Sequence, residues 1–387
     1  MKVLDITEFY SERGGGVRSH LTLRGRALGE LGVEQVVVAP GPREEEAQGA
    51  LSRLIRLRGP SLPYDPTYHL LVRLDRLRQV VKRERPDVLE IHSPYLAALA
   101  ALSIPRAYFG IRTFVWHSDF IDTHLGPWLS RRLPAPLMGA FRATMWALVR
   151  SLAARCEATF VAGQGQAAKL RSHGVPRVVH HPFGIDRATF SPAARDEALR
   201  NRMLEGSPPG SKLLVGVGRF AVEKQWDVVI EAFARVRARH PAVLVLFGDG
   251  PERRALELLA REVAGIRFAG FSHDRVQLAA ALASADLLVH GCPFETFGLA
   301  VAEALACGTP VVVPDQGGAQ ELAGEAVAER YRAGSALACA AAIERMLERD
   351  EASLRQAGET ASQSIPEVRE QNIRQLETYR RLLQKGA

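Results

Sequence analysis

The segment Cys292-Pro-Phe-Glu-Thr-Phe-Gly-Leu-Ala-Val-Ala-Glu-Ala-Leu-Ala-Cys-Gly-Thr-Pro-Val-Val-Val-Pro314 decides how this chain is read. An apolar run, Asp286 to His290, precedes it and reads as a buried strand; a second, Val311 to Val313, closes it. A helix fits between them, with Gly298 at its start, Gly308 as the C-terminal cap and Pro310 preventing continuation. Strand, loop, helix, strand is a βαβ crossover, and a crossover requires a parallel sheet.

Glu295 and Glu303 have seven residues between them. If both were helical, eight steps of about 100° would leave them roughly 80° apart, so Glu295 belongs in the loop and Glu303 on the helix. The amides around Gly298 and Leu299 are then unpaired donors at a positive dipole end, which attracts phosphate. A loop carboxylate beside them can accept sugar hydroxyls, and a helical one can grip a ribose diol. A nucleotide-sugar would satisfy all three features; two solvated glutamates flanking an ordinary crossover helix is the alternative.

The second half repeats this pattern. Leu213 to Val217 leads into Gly218-Arg219, Val243 to Phe247 into Gly248-Asp249-Gly250, and Leu287 to His290 into the opening segment. Each strand ends in a glycine turn and a helix, which predicts a doubly wound parallel sheet. Arg219 and Lys224 flank the first turn, before a helix beginning near Trp226, and would face the phosphate site as cations.

In the first half, Val3 to Ile6 reads as a strand, followed by Ser11-Glu-Arg-Gly-Gly-Gly16 and a helix carrying Val17, Leu21, Leu28 and Leu31. Gly14, Gly15 and Gly16 lack dinucleotide-fingerprint spacing; they allow close approach to a diphosphate or sugar ring, or simply form a flexible turn. Strands are predicted at Glu34 to Ala39, Asp87 to His92, Thr113 to Trp116, Thr159 to Ala162 and Arg177 to His180, with a charged loop at Arg43 to Glu46 and a basic helix over Leu70 to Arg85. The Thr113 strand delivers His117-Ser118-Asp119 at its carboxyl end, where open α/β sheets hold ligands. His117 is a functional candidate there, or is bonded to Asp119 for structural reasons. Between Leu125 and Arg155, Leu137, Phe141, Met145, Leu148 and Leu152 recur at helical spacing among Arg131, Arg132, Arg142 and Arg150. Such a helix can lie on an anionic membrane or pack into a core with a basic rim.

At 387 residues the chain exceeds what one core sustains, and two domains are expected, residues 1–187 and 188–369, with a terminal helix at about 370–387. Residues 1–190 hold 26 Lys/Arg against 17 Asp/Glu and residues 191–387 hold 24 against 26, so the basic excess lies in the first half. Cys156, Cys292, Cys307 and Cys339 show no CxxC spacing, which points to a reducing compartment without a zinc site. The start of the chain lacks a signal-peptide core and no run reaches the roughly 18 apolar residues of a membrane span, so a cytoplasmic protein is expected. Aromatic content of 7% without a basic, aromatic-interleaved motif argues against nucleic acid as a partner, despite a pI near 9.5.

On these residues the chain resembles retaining glycosyltransferases of family 4. The match rests on Glu295 and Glu303 within Pro-Phe-Glu-Thr-Phe-Gly-Leu, on Gly218-Arg219-Phe220 with Lys224, on Gly248-Asp249-Gly250, on Gly184-Ile-Asp186 with Phe190 and Pro192, and on the early glycine loop. The resemblance implies the GT-B fold, two Rossmann-like domains facing across a cleft, with a last helix around Leu376 to Leu383 returning to the first domain. It also implies a nucleoside-diphosphate-sugar donor, GDP-mannose or a UDP-hexose. Arg219 and Lys224 would hold the diphosphate and Glu303 the ribose. Glu295 with the Phe297, Gly298 and Leu299 amides would surround the sugar, His117 would approach it, and Gly15, Gly16, Gly218 and Gly248 would line the donor site. Ser61-Leu-Pro-Tyr64, His92-Ser-Pro-Tyr95 and His117-Ser-Asp119 are similar to the mannosyl- and sulfoquinovosyl-transferring branch that glycosylates lipids, although Trp116 replaces a tyrosine. Tyr95 and Asp119 are acceptor-side candidates, with a lipid or glycan acceptor. Neither cofactor nor metal is implied, since the two cations and a helix terminus can stabilise the leaving diphosphate. A sugar-nucleotide epimerase of similar fold, using Glu295 and His117 as acid and base, is the rival enzyme class.

Overall fold

The computed structural model describes the chain except residues 12–14, 50–51, 64, 126–133, 323 and 387, so Gly14, Tyr64, Arg131 and Arg132 lie outside the described residues. The chain forms two compact units: Met1–Gly184 with Val368–Ala387, and Ile185–Glu367.

The first unit is built on strands β1 (Lys2–Ile6), β2 (Glu34–Gly41), β3 (Glu45–Gln48), β4 (Ser52–Arg58), β5 (Val88–Ile91), β6 (Ile111–Trp116), β7 (Ala158–Val161) and β8 (Val178–His180). They pair in the order β3-β4-β2-β1-β5-β6-β7-β8, parallel throughout except for β3, which runs antiparallel to β4. Every residue of β5 and β6 is buried, as in a sheet covered on both faces. On one face the helix Gly16–Glu30 packs against the terminal helix Val368–Gly386, which also touches β6.

Here the charged loop expected over Arg43 to Glu46 is corrected. Glu45 and Glu46 lie in an edge strand that pairs with Arg56 and Ile55, and Arg53 bonds Glu46 at 3.0 Å. Cross-strand pairing of opposite charges supports a strand that local hydropathy hides. The basic helix is also shorter than its pattern, Leu74–Glu84, and Arg85 closes it in the left-handed region at φ 44°.

The second unit has six parallel strands, β9 (Lys212–Val217), β10 (Ala242–Phe247), β11 (Ile266–Gly270), β12 (Leu287–Val289), β13 (Val311–Pro314) and β14 (Ala328–Tyr331), ordered β11-β10-β9-β12-β13-β14. This is doubly wound order, and its direction reverses between β9 and β12, where such sheets open a crevice at the strands' carboxyl ends. The opening segment behaves as its spacing dictates. Leu288 pairs with Val311 in parallel, the helix Leu299–Ala306 crosses between, and Gly308, at φ 74°, donates its amide to Leu305 O at 2.9 Å in the left-handed cap.

Candidate active site

In the second unit, the loop after β9 carries Arg219 and Lys224, and the loop after β12 carries Glu295. These loops meet across the reversal point, where Lys224 Nζ pairs with Glu295 Oε1. Burial alone would lower the Lys224 ammonium, but Glu295 holds it above its ordinary value; burial likewise raises the Glu295 carboxyl, and Lys224 and His290 more than reverse this. Both groups therefore stay charged in a partly desolvated site. Arg219 is half-buried, and its carbonyl accepts the Trp226 indole at 2.9 Å.

Gly298 caps the helix Leu299–Ala306 in a left-handed conformation, φ 94° and ψ 61°, with no side chain bonding the first amides. Phe297 is buried beneath and Leu299 half-exposed. Gly248 is demanded by packing: a Cβ there would lie 1.9 Å from Gly218 O, so these two glycines let the β9 and β10 loops touch backbone to backbone. Glu303 is 3% exposed and pairs with Arg275, whose guanidinium also lies 4.6 Å from the centre of the Phe190 ring. Burial raises the Glu303 carboxyl, opposed by Arg275. The structure thus joins Lys224 to Glu295 and gives Glu303 a separate cation.

In the first unit the carboxyl ends of β1, β5 and β6 hold a polar chain. His117 Nε2 lies 2.7 Å from His92 Nδ1, and His92 Nε2 lies 2.9 Å from Asp5 Oδ1. A carboxylate only accepts, so a neutral His92 carries its proton on Nε2 and accepts from His117 Nε2–H, leaving the lone pair of a neutral His117 on Nδ1. Burial, reinforced by His92 and Arg24, drives His117 well below its usual range, so it is neutral at physiological pH. His20 and Phe183 flank its ring at centroid distances of 5.5 and 5.3 Å.

Beneath this chain Arg24 Nη1 bonds Asp5 at 2.6 Å and Glu90 at 2.8 Å, while the Tyr379 hydroxyl accepts from Arg24 at 2.8 Å and donates to Glu90 at 2.5 Å. Burial would raise the Asp5 carboxyl, but Arg24 and His92 bring it down to about 2. Asp119 pairs with Lys169 at 2.5 Å, and Asp122 pairs with the same ammonium. The Tyr95 ring packs edge-on against Phe9 and Phe120, at 5.8 and 5.2 Å. Gly15 precedes the helix Gly16–Glu30 at φ 130°, and a Cβ on Gly16 would meet nothing within 4 Å.

The sequence reading did not find Arg275, His290, Lys169 or the Asp5–Arg24–Glu90 cluster. One signal was available for the histidines: β5, β6 and β12 each run to a histidine, His92, His117 and His290, at or just past the strand end.

Residues 14–189 match the model for Glycosyltransferase Family 4, and residues 200–364 that for Glycosyl transferases group 1. A GDP-mannose-dependent alpha-(1-6)-phosphatidylinositol dimannoside mannosyltransferase of Mycobacterium tuberculosis is 33% identical, over 81% of this chain and 79% of its own. The sulfoquinovosyl transferase SQD2 of Arabidopsis thaliana is 29% identical over 77% of this chain and 56% of its own. Among solved structures, the sucrose-phosphate synthase of Thermosynechococcus elongatus superposes with a TM-score of 0.80 at 20% identity, covering 99% of each chain. A Rossmann-like pair of parallel sheets with these loops, matched along nearly its whole length, places the chain in glycosyltransferase family 4, as a sugar-transferring enzyme of GT-B fold.

Proposed function

We propose that the enzyme transfers a mannosyl unit from GDP-mannose to a lipid acceptor with retention of configuration. The observation that carries this reading is the Lys224–Glu295 pair at the reversal point of the second sheet, beside the uncapped helix terminus at Gly298. The diphosphate lies against Arg219, Lys224 and that terminus, where charge growing on the leaving group meets fixed positive partners in a site of low dielectric. Glu295 receives hydroxyls of the sugar, and Glu303, held by Arg275, meets the ribose with its second oxygen. The bond from the anomeric carbon to phosphate breaks as the acceptor oxygen bonds on the same face, and the acceptor proton passes to the departing phosphate oxygen. No metal is needed, because the side chains supply the cations.

The relatives' names support mannose and a lipid: one acts from GDP-mannose on a phosphatidylinositol dimannoside. A lipid acceptor also agrees with the basic first half and with the helix Ala135–Ala154, whose Leu137 and Leu148 are exposed, so peripheral attachment to an anionic membrane surface belongs to the proposal. Donor hydrolysis screened across GDP- and UDP-sugars in the presence of EDTA tests it. GDP-mannose should be turned over fastest, and NMR of the first product should show the donor's anomeric configuration. Faster turnover of a UDP-sugar, inversion, or loss of activity in EDTA would each overturn the corresponding part.

A further inference from the structure

We propose that His290, Cys292 and Glu295 form a site for a thiophilic divalent cation such as Zn²⁺, which turns the donor half of the enzyme off by taking Glu295 from Lys224. The three side chains offer an imidazole nitrogen, a sulfur and a carboxylate oxygen, a ligand set suited to zinc. Their donor atoms all lie within 4.8 Å of one another. His290 Nε2 stands 3.6 Å from Glu295 Oε1, and two such ligands each about 2.0–2.1 Å from a tetrahedral ion lie about 3.4 Å apart. All three come from one stretch of six residues at the end of β12, so coordination needs side-chain movement only.

The second observation is an orphan. His290 is 3% exposed, and its Nε2, facing Glu295, has no hydrogen-bond partner. Buried polar atoms are nearly always paired, so an unpaired nitrogen facing a carboxylate, with a thiol close by, is a group suited to take a ligating role. Lys224 already brings one positive charge to Glu295 Oε1, and a divalent ion would bring two. On binding, Cys292 releases its thiol proton to buffer as the sulfur–metal bond forms. Glu295 exchanges the still-protonated Lys224 for the metal, and a water takes the fourth position. Loss of activity on binding rests on the donor-site reading above; binding itself does not.

The test uses the full chain, stripped with EDTA, desalted and titrated with Co²⁺. A near-ultraviolet thiolate-to-cobalt charge-transfer band should grow to one equivalent and be displaced by Zn²⁺. Cys292→Ser should abolish the band, and His290→Gln should weaken binding by at least about tenfold. Lys224→Ala should tighten it, because the competing ammonium is gone. Circular dichroism confirms that each variant is folded. Zn²⁺ should inhibit the native enzyme and spare Cys292→Ser, whose metal-free activity should be unchanged. No band in the native chain, an undiminished band in Cys292→Ser, or weaker binding in Lys224→Ala would overturn the site. Equal Zn²⁺ inhibition of native enzyme and Cys292→Ser would overturn the switch. Because cobalt binding is read without a sugar donor, its failure is distinguishable from failure of the transferase reading.

Discussion

Lys224 and Glu295 stabilise each other as ions, about a fifth exposed each, so neither can be changed without consequence for the other. In the proposed reaction the ammonium gains most as the diphosphate departs, which places its effect in the transition state. Lys224→Ala and Arg219→Ala should each lower kcat by about 10²–10³, the scale seen when a preorganised charge partner of a transition state is removed. Donor KM should move far less. Lys224→Ala also leaves a half-buried carboxylate unpaired, at a cost of about 1–3 kcal/mol in stability, so rates should be compared well below its melting temperature. Near-normal kcat in both variants at saturating donor would contradict the assigned role.

The helix Ala135–Ala154 shows how one element divides its surface. The stripe read from the sequence, Leu137, Phe141, Met145, Leu148 and Leu152, coincides with the buried face only in part: the structure buries Trp146, Val149, Leu152 and Ala153, holds Phe141 and Met145 half-buried, and leaves Leu137 54% and Leu148 56% exposed. Trp146 stacks on Trp116 and His173, at 5.9 and 3.8 Å, and that contact rotates the helix away from its simplest hydrophobic reading. Arg142 pairs with Asp122 at 3.2 Å, which reduces its free charge. Native protein should co-sediment with anionic vesicles in preference to neutral ones. Leu137→Ser with Leu148→Ser should weaken this at any salt, and Arg131, Arg132 and Arg142 changed to Ser should weaken it most at low salt, since each basic residue contributes on the order of 1 kcal/mol within a Debye length of about 8 Å. No anionic preference, or no effect of either set, would rule the surface out. The same contrast marks what sequence could reveal. The helix Leu299–Ala306 was legible because its glycine caps and flanking valine runs are local. The Arg275–Glu303 and Lys169–Asp119 pairs span 28 and 50 residues, and only the folded sheets bring them together. Strand β4 was missed although Ile55 and Leu57 alternate inward between outward arginines, because its polar flank resembles a loop.

At the scale of the whole first unit, the fold keeps several imidazoles neutral. Burial lowers His181 to about 4 and takes His20 and His117 well below the usual range, with Arg24 adding repulsion in each case. Arg24 cannot be given up, because it holds Asp5 and Glu90 together, and removing one partner from a buried ionic cluster costs about 3–5 kcal/mol. The sign of the pH effect follows from linkage. A histidine whose folded value is depressed binds its proton first in the unfolded chain, so stability falls as pH drops from its unfolded value near 6.5 toward its folded value. For His181 that window runs from 6.5 to about 4, and the loss across it is at most on the order of 3 kcal/mol. The Asp5 carboxyl acts later: its contribution is full above about 4 and disappears as pH falls toward about 2. Acid destabilisation should therefore begin below pH 6.5, well before the Asp5 carboxylate takes up a proton. Melting temperature measured from pH 7 to 4 should decline throughout, and His181→Gln should make that decline shallower without removing it, because His20 and His117 remain. A flat profile down to pH 4, or a native-like slope in His181→Gln, would show that these imidazoles do not set the acid limit.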